Sequence, residues 1–281
     1  MTAKLAVMLL GSLMLAEAAP KILVHGHRGA RAERPENTVA AFEYAIKAGA
    51  DFLELDLAVT KDGVLVVSHD PQLNPKICKA PEGETAIHKL TLAQVRQWDC
   101  GTLKNPEFPN QQPAPGQKIP TFDEVLALSS QGKFSYNIEM KSDPKKPELS
   151  VEPAEFARMV AAAIHKHKLE NRVVVQSFDF RTLVELRRIA PKIRISALYF
   201  GPAKSFVEIS KEAANAEIVA PYLSLVKPEN VREAHAAGLQ VVPWTANKPE
   251  IWDTLIAAGV DAIITDDPAA LIEHLKAKGL R

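Results

Sequence analysis

Glu54 and Asp56 stand two residues apart in Phe52-Leu53-Glu54-Leu55-Asp56-Leu57, a run that would bury better with an apolar residue at both places. Extended backbone sends alternate side chains to opposite faces, so the leucines share one face and the carboxylates the other. Two like charges held close in a partly dry site repel, and each is costly to desolvate. A shared cation removes both costs. Tyr136-Asn137-Ile138-Glu139-Met140-Lys141 repeats the device, with Asn137, Glu139 and Lys141 on one face. Glu54, Asp56 and Glu139 then form an all-oxygen set, which suits one hard divalent cation, Mg²⁺ or Ca²⁺, rather than zinc. Taken singly, each would read as a rim charge in a salt bridge. His27 and His69 flank the carboxylate pair and can serve as general acid and base near neutral pH. Arg28 offers a planar fork to a phosphate or carboxylate, Gly29 permits positive φ or close backbone approach, and Lys141 adds a second positive group. Cation, Arg, Lys and two His together suggest phosphate-ester chemistry.

These residues need a scaffold that brings them to one place. Eight strand candidates run at 22–26, 51–59, 134–140, 172–178, 193–200, 216–222, 239–245 and 261–266. Eight helix candidates begin near Thr38, Thr121, Pro153, Asp179, Ala203, Pro228, Pro249 and Pro268. Pro at a helix's first turn sacrifices no hydrogen bond, and Asn37, Thr121 and Asp179 can cap orphan N–H groups. Gly49, Gly132, Gly238 and Gly259 sit where helices should end. Such alternation, with right-handed crossovers, predicts a parallel sheet closed into a (β/α)8 TIM barrel, which usually needs about 250 residues. A doubly wound sheet is the runner-up, but His25-Gly26-His27-Arg28-Gly29 is not its glycine-rich phosphate loop. In the barrel, His27 and His69 fall at the C-terminal face, where such folds keep their active sites. The alternation breaks once. An extra strand is expected over 63–71, after the turn Lys61-Asp62-Gly63. Residues 72–118 follow without periodicity and with many prolines, an expected insertion after the second barrel strand that lies over one mouth.

The segment His27–Asp70 resembles the glycerophosphodiester phosphodiesterase family. The likeness lies in His-Arg-Gly (27–29), Pro-Glu-Asn-Thr (35–38), Glu-x-Asp (54–56), Thr-Lys-Asp-Gly (60–63) and His-Asp (69–70). It continues through Ile119-Pro120-Thr121, Asn137–Lys141, Gln176-Ser177-Phe178, Trp244-Thr245 and Thr265–Pro268. The resemblance implies hydrolysis of glycerophosphodiesters, such as glycerophosphocholine or glycerophosphoethanolamine, to glycerol 3-phosphate and an alcohol. By that likeness Glu54, Asp56 and Glu139 hold the cation, His27 and His69 act as base and acid, and Arg28 and Lys141 hold the phosphate. Trp244 either stacks on the glycerol or packs in the core. Asn37 reads as a helix cap, Glu36 as shaping its turn, Gln176 as lining the pocket or satisfying backbone, and Asp267 as capping the last helix.

The 281 residues carry 34 basic and 34 acidic side chains, so no basic field exists to hold nucleic acid. A small-molecule partner is expected. Residues 1–18 read as a signal peptide, with Lys4, an apolar run over 5–15, and small residues before a cut at Ala18; 19–281 is then the catalytic domain. Export is the expectation, to the periplasm with secretion as the alternative, and with no stable membrane anchor. Cys78 and Cys100 form either a disulfide, as an exported protein allows, or two free thiols. Two rivals stand beside this reading. A related phospholipase C or D would need an apolar or basic rim, and Ile77, Trp98 and Phe108 in the insertion signal that only weakly. A catalytically dead barrel would have lost His or carboxylate positions.

Overall fold

The computed structural model describes residues 21–281; the expected signal peptide lies outside the described residues. In β2 (Phe52–Val59) the leucine face and the carboxylate face separate as alternation requires. Leu53, Leu55 and Leu57 pack into the main core with Phe42 and Ile138, between strands and helices. The opposite face looks into a barrel. β2 lies between β1 (Leu23–Gly26) and β4 (Ser135–Met140), both parallel to it. Beyond β4 follow β5 (Val173–Ser177), β6 (Arg194–Tyr199), β7 (Ile218–Pro221) and β8 (Gln240–Val241), and β9 (Ala262–Thr265) flanks β1 on the other side. Backbone bonds from Asp261 N to Val241 O (3.1 Å), Ile264 N to Pro243 O (3.0 Å) and Ala246 N to Ile264 O (3.0 Å) join the two ends. The result is the expected eight-stranded parallel barrel. The seam strand β8 is shorter than its 239–245 pattern because Pro243 has no N–H to give the ladder.

Helices α1 (Val39–Ala48), α3 (Phe122–Ala127), α4 (Pro153–His167), α5 (Phe180–Ile189), α6 (Phe206–Glu212), α7 (Pro228–Ala236), α8 (Pro249–Ala258) and α9 (Pro268–Ala277) alternate with the barrel strands. Thr121 and Asp179 cap α3 and α5 as expected, and Asp267 caps α9. Asn37 does not cap α1. Thr38 does, accepting from Ala41 N at 3.2 Å, while Asn37 sits at φ 56° and turns its amide inward. α6 begins three residues later than its pattern, capped by Ser205, because Gly201 and Pro202 hold the chain in a loop.

The extra strand is reduced to β3 (Leu65–Val67), antiparallel to β2. The insertion then folds around its own small core of Leu73, Ile87, Leu90, Val95 and Trp98, seated on Ala58 and Val66. It contains the short helix α2 (Leu92–Val95) and a Cys78–Cys100 disulfide. With so little regular structure, apolar burial and the covalent link must hold it. It docks on the loop after β1, where Gln111 Nε2 donates to Arg31 O at 2.6 Å and Arg34 O at 3.2 Å.

Candidate active site

The loop after β1 begins with a backbone that only special residues tolerate. Arg28 lies at φ 49° and Gly29 at φ 88°, and a Cβ on Gly29 would stand 2.7 Å from the Ala41 carbonyl carbon. The turn aims the Arg28 N–H at Glu54 Oε2 (2.8 Å). Gln176 Nε2 donates to the other oxygen, Oε1, at 3.0 Å, and Asn137 Nδ2 donates to Gln176 Oε1 at 3.0 Å, which sets that amide's orientation. Both oxygens of Glu54 are therefore held from the protein side. Asp56 is held on one side only. Its Oδ2 accepts from Asn37 Nδ2 at 2.9 Å, while buried Oδ1 has no hydrogen bond and lies 3.9 Å from Lys141 Nζ. Register places Asp56 beside Glu139, whose Oε1 meets Lys141 Nζ at 2.9 Å.

One oxygen from each of Glu54, Asp56 and Glu139 lies within 4.8 Å of the others, and all three residues are buried. Burial and the charge of Asp56 push the Glu54 carboxyl well above the usual range, against the opposing Arg28. Burial would also raise Asp56, but His69, Arg28, Lys141 and the Asn37 amide outweigh it and hold it below its ordinary value. Burial and Asp56 raise Glu139 despite Lys141. Such a triad cannot hold three charges cheaply without added positive charge. The unbonded Asp56 oxygen, the close-set carboxylates and the all-oxygen donor set fit a hard divalent cation.

Arg28 lies against the same cluster. Its Nη1 meets Glu36 Oε1 at 2.6 Å and its Nε lies 3.6 Å from Asp56 Oδ2. Arg31 meets Glu36 at 3.3 Å and Glu107 of the insertion at 3.0 Å, with its guanidinium over the Phe108 ring. Glu36 thus does more than shape its turn: it clamps two arginines at the cavity edge.

The two histidines have unlike settings. His27 Nδ1 lies 2.5 Å from Asp266 Oδ1, at the end of β9. Asn247 Nδ2 donates to Asp266 Oδ2 at 2.6 Å, and the Asp266 N–H returns a bond to Asn247 Oδ1 at 2.9 Å. Burial lowers the His27 pKa, and Asp266 only partly restores it. His69 Nδ1 lies 2.8 Å from Asp70 Oδ1 in a half-open setting. His27, His69, Arg28, Lys141 and Trp244 line one cavity of about 350 Å³ with Glu54 and Glu139. The Trp244 indole N–H donates to Ala220 O at 2.8 Å, and its ring meets Phe178 and Tyr222 edge-on. It therefore forms cavity wall and packs against neighbours at once.

Every residue expected in the site borders this cavity or, as Asp56 does, lies beneath it. Asp266, Asn247 and Arg31 were not expected there. Asp266 ends a barrel strand at the catalytic face, which is a readable signal. Asn247 and Arg31 stand on loops, where no periodicity points to them.

Residues 27–270 match the Glycerophosphoryl diester phosphodiesterase family. The chain is 34% identical over 261 residues to a glycerophosphodiester phosphodiesterase of Caldanaerobacter subterraneus subsp. tengcongensis, covering 92% of this chain and 100% of that one. A Bacillus subtilis glycerophosphodiester phosphodiesterase is 32% identical over 263 residues, covering 88% and 84%. Among solved structures, a protein of Silicibacter pomeroyi provisionally named a glycerophosphoryl diester phosphodiesterase superposes with a TM-score of 0.86 at 33% identity, covering 92% of this chain and 95% of that one.

Proposed function

The chain belongs to the glycerophosphoryl diester phosphodiesterase family and is a phosphoric diester hydrolase; on that premise we propose that it cleaves glycerophosphocholine, glycerophosphoethanolamine and similar diesters to sn-glycerol 3-phosphate and an alcohol, with two histidines and one divalent cation. The observation that carries this is one cavity bordered by His27, His69, Arg28, Lys141, Glu54 and Glu139.

Arg28 and Lys141 bind the phosphate, and their charges oppose the negative charge that grows on its oxygens. His27 is the base. With Nδ1 donating to Asp266, Nε2 keeps its lone pair and takes a proton from the water whose oxygen adds to phosphorus. Its lowered pKa keeps the imidazole neutral and able to accept. His69 is the acid and returns a proton to the departing alcohol oxygen as the phosphorus–oxygen bond breaks. Glu54, Asp56 and Glu139 would hold Mg²⁺ or Ca²⁺, which when bound supplies Lewis-acid stabilisation of the phosphoryl oxygens. The Cys78–Cys100 disulfide suits an oxidising compartment and so supports export, with residues 1–18 as a cleaved signal and the periplasm as destination.

The test is release of glycerol 3-phosphate from glycerophosphocholine. Product should vanish with EDTA, return with Mg²⁺ or Ca²⁺, and be lost in His27→Ala and Glu54→Ala. Activity that survives both substitutions would sink the assigned roles, and no product with either cation would sink the substrate.

A further inference from the structure

We infer that a groove beside the catalytic cavity is a subsite for the leaving alcohol, suited to alcohols that carry a hydrocarbon chain; this rests on the phosphodiesterase reading above. The groove is about 520 Å³ and opens between the loops that follow β4 and β5. It meets the catalytic cavity at His69, Glu139, Lys141 and Phe178, which border both. A phosphate held at this junction by Lys141 and by Arg28 of the inner cavity has two ester arms, and each space takes one. The inner cavity ends within the barrel mouth against Leu198, Trp244, Thr245 and Ile264, a well for the small glycerol arm. The groove runs outward and is the larger. His27 borders only the inner cavity, whereas His69 borders both. The assigned acid therefore stands where an oxygen leaving toward the groove would need its proton.

The lining decides the class of alcohol. Pro71, Pro144, Leu149, Phe178 and Phe180 make the walls, and Phe178 is 44% exposed although the Trp244 ring packs edge-on against it. A large phenyl left open in a groove joined to a catalytic cavity favours an apolar occupant. Four carboxylates also border the groove, and each has a partner on at least one oxygen: Asp70 Oδ1 meets His69 and Glu139 Oε1 meets Lys141. Asp179 accepts from Arg181 and Ser142 through Oδ2 and from Arg181 through Oδ1, and Asp143 Oδ1 accepts from Lys145 N. Lys141, Lys146 and Arg181 border the same space. A hydrocarbon chain gains from the apolar walls, provided it leaves the rim charges hydrated.

The probe is a series of glycerol 3-phosphate esters of ethanol, butanol, hexanol and octanol, each below its aggregation concentration, with Mg²⁺ supplied and glycerol 3-phosphate measured. kcat/KM should climb by about twofold to fourfold per added methylene, the gain for burying one CH₂, until the chain outruns the groove. Leu149→Asn and Phe180→Ser should each flatten that climb. The slope is a ratio within one preparation, so partial misfolding of a variant does not change it. A flat series, or a slope that survives both variants, overturns the subsite while leaving the activity standing. Release from none of these diesters overturns the functional reading and the subsite with it.

Discussion

His27 and Asp266 meet at 2.5 Å at the ends of the paired strands β1 and β9, and Asn247 bonds the far oxygen of the same carboxylate. Asp266 acts through His27: it holds one nitrogen and so aims the other. Replacing it by Asn keeps the shape but removes the charge and allows the wrong tautomer. Asp266→Asn should lower kcat by about 10²-fold or more, near the usual contribution of a positioned base, with KM little changed. The charge of Asp266 raises the His27 pKa against burial, so its loss lowers that pKa further. A base works when deprotonated. The acid limb of kcat/KM should therefore move to lower pH in the variant, and a pH–rate profile reads this directly. An unmoved limb with a full loss of kcat would mean that Asp266 is merely structural.

The elements position these residues through backbone demands that side chains cannot meet alone. The turn after β1 works because Gly29 accepts φ 88° with Ala41 pressed against it. Gly29→Ala should cost about 1–3 kcal/mol from the strained conformation and more from the clash, read from urea unfolding. It should also weaken the Arg28 N–H bond to Glu54, so activity should fall by more than the unfolded fraction explains. The insertion is a different case, since its few apolar residues are braced by a disulfide that spans 22 residues. By the chain-entropy estimate, Cys78→Ser with Cys100→Ser should lose about 3 kcal/mol. The insertion bears on Arg31 and Glu36 through Glu107 and Asn105. If the two lock together, the double variant should also lose phosphate affinity, seen as a raised KM. An unchanged KM would make the insertion a passive cover.

At the scale of the whole barrel, burial sets protonation beneath the site. His25 lies inside the barrel, stacked 4.2 Å from Phe52 and 3.3 Å from Asn137 Nδ2, and burial lowers its pKa to about 3. The fold holds it neutral, while the unfolded chain binds a proton below about 6.5. Its contribution is thus fully present above that value and is lost as pH falls toward the folded pKa. Between pH 7 and pH 5 the native chain should lose about 2 kcal/mol more than His25→Gln, measured by urea unfolding at each pH. Parallel curves would show that His25 does not carry this acid sensitivity. The same contrast between local pattern and closed barrel marks what the sequence could tell. Period-two alternation around Glu54, Asp56 and Glu139, and the strand–helix rhythm, determined the barrel and the acidic face, because both follow from side-chain direction and burial within short segments. The first part of the β1 loop was legible for the same reason, since His27, Arg28 and Gly29 directly follow a strand. Only the tertiary structure decided that Asn37 serves Asp56 rather than a helix end, that Gln176 holds Glu54, and that Asp266 and Asn247 hold His27. Those partners lie 19, 122 and 239 residues apart for the first three pairs, so their meeting depends on barrel closure and register, which no local spacing encodes.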